Sequence, residues 1–270
     1  MAQGRPQELV LTLLGAYLHP RDRSLWSGGL VELLRDFGVS AGAARVTLTR
    51  LAARGLLERT RNGRLVHYTI TPRTAAILDE GDERIFSFGR APDDGAAWTV
   101  VWHTVPEDRR LDRARLTRRL RFLGFGPVHD GAWIAPRDHE SEVVGLVTEL
   151  GLRDHVSVLV GRPSAALDPR VLVTRAWDLD DLNTRYEAFV DEFGPLADPA
   201  ARDRLSDRDA LRRRTQIVHS FRKLPAVDPE LPTGLVEPPP QRARAIDVFH
   251  DVYAALGPPA QRYFDQVTTP

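Results

Sequence analysis

The chain has 270 residues, and its 37 basic residues balance 37 acidic ones, so the formal net charge is zero with histidine counted as neutral. This length predicts two or three domains that can bury a core without covalent staples. The absence of cysteine excludes cysteine-ligated zinc, iron–sulfur clusters and thiol catalysis, and zero net charge argues against a uniformly basic surface for nucleic acid.

Neither a targeting signal nor a membrane span is predicted. The first 20 residues lack the basic start, long apolar run and small-residue cleavage site of a signal peptide. No apolar run reaches the length of about 18 residues that a transmembrane helix needs. We therefore expect a cytoplasmic protein that has no membrane partner.

The first segment, residues 1–88, begins with two predicted helices. Leucines at helical spacing mark one helix around 9–17 and another around 30–37, with a turn at 19–23 between them. Gly38 is placed to end the second helix, as glycine often does.

A third helix and a β-hairpin follow in the same segment. Ser40 is a favourable N-cap and Gly55 ends the helix. The core face of this helix is predicted from apolar residues at i, i+4 and i+7: Ala44, Leu48 and Leu51. Two strands, 56–61 and 64–70, flank Asn62-Gly63, a dipeptide typical of tight hairpin turns. Three helices and a basic hairpin together predict a winged helix-turn-helix.

The outward face of the third helix and the hairpin tip carry the candidate DNA contacts. Residues 40–73 hold seven arginines and a single acidic residue, Glu58. Arginine pairs bidentately with guanine, and threonine bonds a base or touches a thymine methyl group, whereas groups at a wing tip hold phosphates. The candidate DNA-binding residues are Ser40, Arg45, Thr47, Thr49, Arg50, Arg54, Arg61, Asn62 and Arg64. The alternative is an arginine-rich helix face that binds protein.

The second segment, residues 96–168, follows a predicted linker at 91–95. Its predicted strands and helices are 98–105, 109–123, 125–129, 132–135, 139–150 and 155–161. The order β-α-β-β-α-β is the ferredoxin-like pattern. The helix at 109–121 carries seven arginines and is a candidate contact for DNA or a phosphorylated ligand, although a solvated helix face is the favoured interpretation.

The third segment, residues 170–270, is predicted to be helical. The helices are expected through 182–193 and at about 199–222, 241–256 and 258–267, with a proline-rich stretch in 225–240. His219, Arg222 and Lys223 precede the prolines and form a candidate effector site for an anionic ligand, with a solvated surface as the favoured alternative. The fold class is therefore α+β and multidomain.

No sequence motif predicts a metal, a cofactor or a catalytic residue. The zinc-binding pattern His-Glu-x-x-His, the nucleophile pattern Gly-x-Ser-x-Gly, the Walker loop and the dinucleotide pattern Gly-x-Gly-x-x-Gly do not occur. Enzymatic activity is not expected on this basis.

Nearly the whole chain resembles the PaaX-type transcriptional repressors. The matching stretches are LTLLGAYLHPR (11–21), VSAGAARVTLTRLAARGLL (39–57), LRFLGFGPVHDGAWIAPR (120–137), AWDLDDLNTRYEAFVDEF (176–193) and IVHSFRKLPAVDPELP (217–232). The resemblance implies a winged helix, a central domain similar to the small CRISPR-associated adaptation nuclease, and family-specific C-terminal helices. It also implies a homodimer that represses catabolic operons and leaves its double-stranded DNA operator on binding an aryl-CoA thioester.

Two departures limit what the resemblance implies. In the CRISPR-associated nuclease an aspartate ends the first strand and helps bind metal, whereas this chain has His103 near that point and Asp108 several residues later. Many PaaX-type chains have Trp-Pro-Gly after the motif ending at Pro232, where this chain has Glu237-Pro-Pro-Pro-Gln241, so the effector need not be phenylacetyl-CoA. We expect a ligand-responsive repressor. The alternatives are a metal-dependent nuclease using Asp108, or a protein-interaction module.

Overall fold

The computed structural model describes residues 6–18, 23–90, 97–164 and 166–270 and shows a mixed α+β protein. The predicted linker at 91–95, and all of the predicted turn at 19–23 except Arg23, lie outside the described residues. Internal contacts divide the chain into two compact units. The first contains the described residues up to Ser87 together with Glu192–Phe221 and Asp247–Pro270, and the second contains Phe88–Asp191 and Arg222–Ile246. The predicted segment 170–270 contributes to both units.

The first unit begins with α1 (Pro6–Tyr17), α2 (Ser27–Asp36), α3 (Ala41–Ala53) and α4 (Pro72–Ser87). The Ser40 hydroxyl caps α3, because it accepts a hydrogen bond from the Ala43 amide at 3.3 Å. Gly55 follows α3 with a φ of +66°, a conformation that glycine adopts without steric cost. The three predicted helices correspond to α1, α2 and α3, although α1 and α2 begin three residues earlier than predicted, whereas α4 was not predicted.

A three-stranded antiparallel sheet follows α3, with β3 (Leu65–Ile70) between β1 (Leu25–Trp26) and β2 (Leu57–Asn62). Asn62 pairs with Leu65, so the hairpin loop is Gly63-Arg64 and lies one residue later than predicted. Gly63 has a φ of +58°, and positive φ at the first loop residue alone is what a Gly-X turn of type II′ requires. The predicted Asn-Gly loop would have needed positive φ at two residues.

The core of the first unit is completed by C-terminal helices. The short helix α9 (Pro199–Arg202) precedes α10 (Asp207–Phe221), and α12 (Gly257–Thr268) follows α11 (Arg242–Ala255). Buried residues of the N-terminal helices pack with side chains of α10 and α12: Leu211, Ala260 and Phe264. The single helix predicted at 199–222 is interrupted because Ser206 accepts a hydrogen bond from the Asp209 amide and starts a new helix.

The second unit contains a four-stranded antiparallel sheet in the order β5-β6-β4-β7. Its elements, in chain order, are β4 (Trp98–His103), α5 (Arg110–Phe122), β5 (Gly126–His129), β6 (Ala132–Ala135), α6 (Glu140–Glu149) and β7 (Val156–Gly161), followed by α7 (Arg170–Ala176) and α8 (Leu179–Phe193), which ends in the first unit. Val101 and Trp133 pack on one face with apolar residues of α5 and α6. Trp98 and Ile134 pack on the other face with Val173 of α7.

Among the helices of the described ranges, none is long and apolar enough to cross a membrane.

Candidate nucleic-acid interface

The outward surface of α3 presents three of the predicted DNA contacts together. Ala44, Leu48 and Leu51 are at most 1% exposed, which fixes the orientation of the helix. Arg45, Thr49 and Arg50 lie on the opposite side and are exposed. Within the described part of the chain, the guanidinium groups of Arg45 and Arg50 have no ion-pair or hydrogen-bond partner. Two cationic side chains are thus available to an incoming anionic surface.

The two threonines of α3 differ in what they can contact. Thr47 is buried and its hydroxyl donates a hydrogen bond to the Ala43 carbonyl at 2.8 Å, so this side chain cannot face DNA as predicted. The spacing that places Leu48 and Leu51 in the core also turns Thr47 inward. Thr49 is exposed and donates to the Arg45 carbonyl at 3.0 Å, which leaves its methyl group and oxygen lone pairs accessible.

The remaining predicted DNA contacts lie at the edges of α3 and at the hairpin tip. Arg54, the C-cap residue of α3, donates to the Gln7 side chain at 2.9 Å, so part of its hydrogen-bonding capacity is already used. Arg61, Asn62 and Arg64 are exposed at the tip. The Arg61 Nε donates to the Gly63 carbonyl at 3.0 Å and holds that side chain across the turn. Arg64 has no such bond among the described residues and projects a free charge.

Sequence patterns did not reveal the buried carboxylate that anchors the end of α2. Asp36 is only 7% exposed, accepts a hydrogen bond from the Arg208 Nε at 2.8 Å and accepts another from the Tyr263 hydroxyl at 2.9 Å. Burial, and then the hydrogen bond to Asp36, raise the pKa of Tyr263 to about 12, so its hydroxyl stays protonated and donates. The network ties the helix before α3 to α10 and α12. More than 170 positions separate Asp36 from either partner, so local spacing carries no signal of it.

A second anchor is Arg214 of α10, which lies between two tyrosine rings. Its guanidinium carbon is 5.0 Å from the Tyr17 ring centre and 3.7 Å from that of Tyr253. The same group donates hydrogen bonds to the carbonyls of Ala16, at 3.1 Å, and Tyr253, at 2.9 Å. This arginine therefore holds the end of α1 to α10 and α11 within the first unit.

The predicted effector residues lie at the end of α10 and just beyond it. His219 is half-buried, with its Nδ1 3.4 Å from the Thr12 hydroxyl. Arg222 is half-buried and Lys223 is exposed. The assignment of these three residues to an effector stays a prediction.

The residues considered for a metal-dependent activity do not form a ligand cluster. No group of three or more histidine or carboxylate side chains in the described ranges could hold a metal ion. Asp108 is exposed in a short 3-10 turn, Glu107–Arg109. His103 ends β4, and burial, followed by the charge of Arg113, lowers its pKa below the ordinary value.

Comparison with protein families gives three matches along the chain. The model described as PaaX-like protein matches residues 5–74, and that of the PaaX protein central Cas2-like domain matches residues 91–173. The model of the PaaX-like protein C-terminal domain matches residues 177–266.

Individual relatives agree with the family matches. The curated protein "Transcriptional repressor PaaX" of Escherichia coli (strain K12) is 26% identical over 266 residues, which cover 96% of this chain and 82% of that protein. Among solved structures, "Uncharacterized protein Rv0674 from Mycobacterium tuberculosis" aligns with a TM-score of 0.57 and 24% identity, covering 99% of this chain and all of that one. The second match supports the fold alone.

Proposed function

Because the chain belongs to the PaaX family of transcription regulators, we propose that it represses transcription by binding a palindromic DNA operator as a homodimer. A small effector releases the repressor from its operator. The observation that carries this proposal is the pair of unpartnered, exposed arginines on α3, Arg45 and Arg50. Exposed arginines that no acidic group neutralises can pair with DNA phosphates and release the counterions condensed on the duplex.

We interpret α1–α4 with the β2–β3 hairpin as a winged helix-turn-helix within the segment 1–88. In this arrangement α3 enters the major groove, where Arg45 and Arg50 bond base edges and Thr49 touches a base or a thymine methyl group. Arg61, Asn62 and Arg64 at the wing tip contact phosphates or the minor groove, and Ser40 and Arg54 contact the backbone beside the helix. Thr47 is left out of the contact set because its hydroxyl is satisfied inside the fold.

We interpret the segment 96–168 as a ferredoxin-like dimerisation domain. The sheet order β5-β6-β4-β7 supports this fold, and apolar residues on the face opposite α5 and α6 support an interface. Trp102 is 41% exposed and Leu159 is 58% exposed on that face, beside the edge strand β7. Exposed apolar side chains grouped on a sheet mark an interaction surface, and a second copy of the chain would read the second half of an inverted repeat.

The effector proposed from the family resemblance is an acyl- or aryl-CoA thioester or a related anion. His219, Arg222 and Lys223 stay the candidates predicted from the sequence for its phosphate groups, within the helical segment 170–270. A ligand changes DNA binding only if its affinity differs between the DNA-competent and the incompetent states. A regulator acts where the chromosome is, so we place it in the cytoplasm.

Binding to DNA from the chain's own promoter region tests the central proposal. We expect the Arg50→Ala variant to lose about 1–3 kcal/mol of binding free energy and to relax sequence preference at one position of each half-site. Fluorescence anisotropy against a set of single-base operator variants measures both effects. Arg35→Ala, which removes an exposed arginine from α2, is the matched control.

Two results would contradict this assignment. Equal operator binding by the wild type and Arg50→Ala would remove α3 from the interface. A wild-type chain that shifts no DNA from its own promoter region would favour the protein-interaction module.

A further inference from the structure

A cleft of about 620 Å³ lies in the second unit, on the side of the sheet that α5 covers. Its walls are the end of β4, the turn between β5 and β6, and one stripe of α5. The polar lining residues are His103, Thr104, Arg110, Arg113, Thr117 and Asp130, and Trp133 supplies an apolar surface. This volume falls within the range of about 300–1,000 Å³ that is typical of small-molecule sites.

The turn that closes the cleft is held tightly against the end of β4. The His103 amide donates a hydrogen bond to the Gly131 carbonyl at 2.8 Å. Gly131 has a φ of +74°, and a Cβ atom at this position would lie 2.5 Å from the His103 carbonyl oxygen. Only glycine allows this approach, so the wall of the cleft is a built feature of the hairpin.

The charges around the cleft favour an anion. Arg110 is exposed and has no partner among the described residues. Arg113 is held by Glu107 at 2.7 Å and by the Val105 carbonyl at 3.5 Å, which orients its guanidinium. Asp130 is the single acidic residue of the lining. Both arginines line the cleft, and because Glu107 offsets Arg113, Arg110 is the cation of this lining that is available to a phosphate group, which guanidinium binds bidentately.

His103 adds a neutral polar group to the same site. Its Nδ1 is enclosed and has no hydrogen-bond partner in the described part of the chain. A buried polar atom without a partner is unusual in a folded protein, and the imidazole that carries it lines the cleft. The imidazole can accept from or donate to a ligand, depending on its tautomer.

We propose that this cleft binds a small molecule that carries a phosphate group, with Arg110 and Arg113 on the phosphate and Trp133 beside its less polar part. Its role as the effector site rests on the proposed function, whereas its anion chemistry does not. The concave shape favours a small ligand over DNA, because the major groove is read by a helix or β-ribbon that projects into it, whereas small-molecule sites are clefts. The basic residues of α5 and the turn at 130–131 were both visible in the sequence, but the position of that turn against the end of β4 was not.

Pyrophosphate binding to the full chain tests the proposal. We expect saturable binding by calorimetry, with the side-chain NMR signal of His103, assigned through His103→Gln, shifting over the same titration. Arg110→Gln and Arg113→Gln should each weaken binding at least tenfold. Arg115→Gln is the control, because Arg115 is on the same helix but outside the lining, and it should bind as the wild type does.

Other outcomes of the same experiments distinguish this cleft from the predicted C-terminal site and from a DNA-binding surface. No shift of the His103 signal, or equal binding by Arg110→Gln and the wild type, overturns the proposal. Weakening by Lys223→Gln but not by Arg110→Gln also overturns it and favours the predicted C-terminal site. Operator affinity that falls in Arg110→Gln without any pyrophosphate binding assigns the arginines to DNA instead. Arginine-dependent pyrophosphate binding by a chain that binds no operator supports the cleft and contradicts the proposed function alone.

Discussion

At the scale of single residues, Arg214 is expected to stabilise the first unit, because it contacts residues of α1 and α11. Its guanidinium combines contacts to the rings of Tyr17 and Tyr253 with hydrogen bonds to two main-chain carbonyls. A partly buried cation–π contact contributes on the order of 1 kcal/mol, and a hydrogen bond from a charged group about 1.5–3 kcal/mol. Because these contributions share one side chain, they are not additive.

Arg214→Ala is therefore expected to lower the free energy of unfolding by about 2–4 kcal/mol. Urea denaturation followed by circular dichroism measures the change. Arg213→Ala is the matched control, since Arg213 is exposed and donates a 3.5 Å hydrogen bond to the Gln216 side chain. This control should stay within about 0.5 kcal/mol of the wild type. Equal stability of the two variants would show that the ring contacts contribute little.

Tyr17 gives a prediction about pH. Burial raises the pKa of its hydroxyl to about 12, and the hydroxyl is within 3.1 Å of the Thr215 side-chain oxygen. The raised pKa means that the fold favours the protonated tyrosine. Its contribution is fully present below the unfolded-state pKa of about 10 and is lost as pH rises towards 12.

We expect the free energy of unfolding to fall between pH 10 and 12, with Tyr17 accounting for up to about 3 kcal/mol of the decrease. In Tyr17→Phe this part of the profile should be flatter, even though the variant is less stable at neutral pH because it lacks the hydroxyl. Denaturation at several pH values gives the profile. Parallel profiles for the two proteins would exclude Tyr17 as a source of the pH dependence.

At the scale of elements, a helix or strand was predicted accurately where its apolar pattern is long and regular. The core positions of α3 repeat over two turns, so its bounds and its outward face were predictable. β1 has two residues, too few for any periodicity, and it exists because Leu25 and Trp26 pair with Tyr68 and His67. The hairpin was predictable but its loop was not, since Gly63 suits either of two adjacent registers. The inward position of Thr47 follows from the same helical period.

The wing makes its own prediction. If Arg64 contacts a phosphate, Arg64→Ala should weaken binding to all DNA sequences by a similar factor and reduce the salt slope of log K by about one. Anisotropy titrations at several salt concentrations, on operator and on random DNA, measure both quantities. This response differs from that of Arg50→Ala, which should depend on sequence. An unchanged salt slope in Arg64→Ala would place the wing tip away from the DNA backbone.

At the scale of the whole molecule, the sequence did not predict which residues far apart in the chain pack against each other. Leu211 and Phe264 lie in the same core as Leu13 and Leu33, although Phe88–Asp191 of the second unit separates Leu33 from Leu211 and Arg222–Ile246 separates Leu211 from Phe264. Local periodicity identified most of the helices with their apolar faces, although not α4, and it did not show which faces meet. The cleft beside α5 was not predicted for the same reason. Its arginines were evident in the sequence, but the position of the Asp130-Gly131 turn beside them depends on the three-dimensional fold.

The proposed dimer is a property of the whole molecule, and Leu159 tests it. Leu159 is 58% exposed on the edge strand β7, where a glutamate is compatible with the fold of one copy but not with an apolar interface. We expect Leu159→Glu to halve the mass measured by light scattering and to reduce affinity for a full palindrome towards that for a half-site.

Val144→Glu is the matched control for this change, since Val144 is 46% exposed but lies on α6, which packs on the opposite face of the sheet. It introduces the same charge and should leave mass and DNA affinity unaltered. A dimeric Leu159→Glu protein would move the interface away from this face of the sheet. A wild type that is monomeric at micromolar concentration, yet binds the palindrome with two copies cooperatively, would indicate that DNA itself assembles the pair.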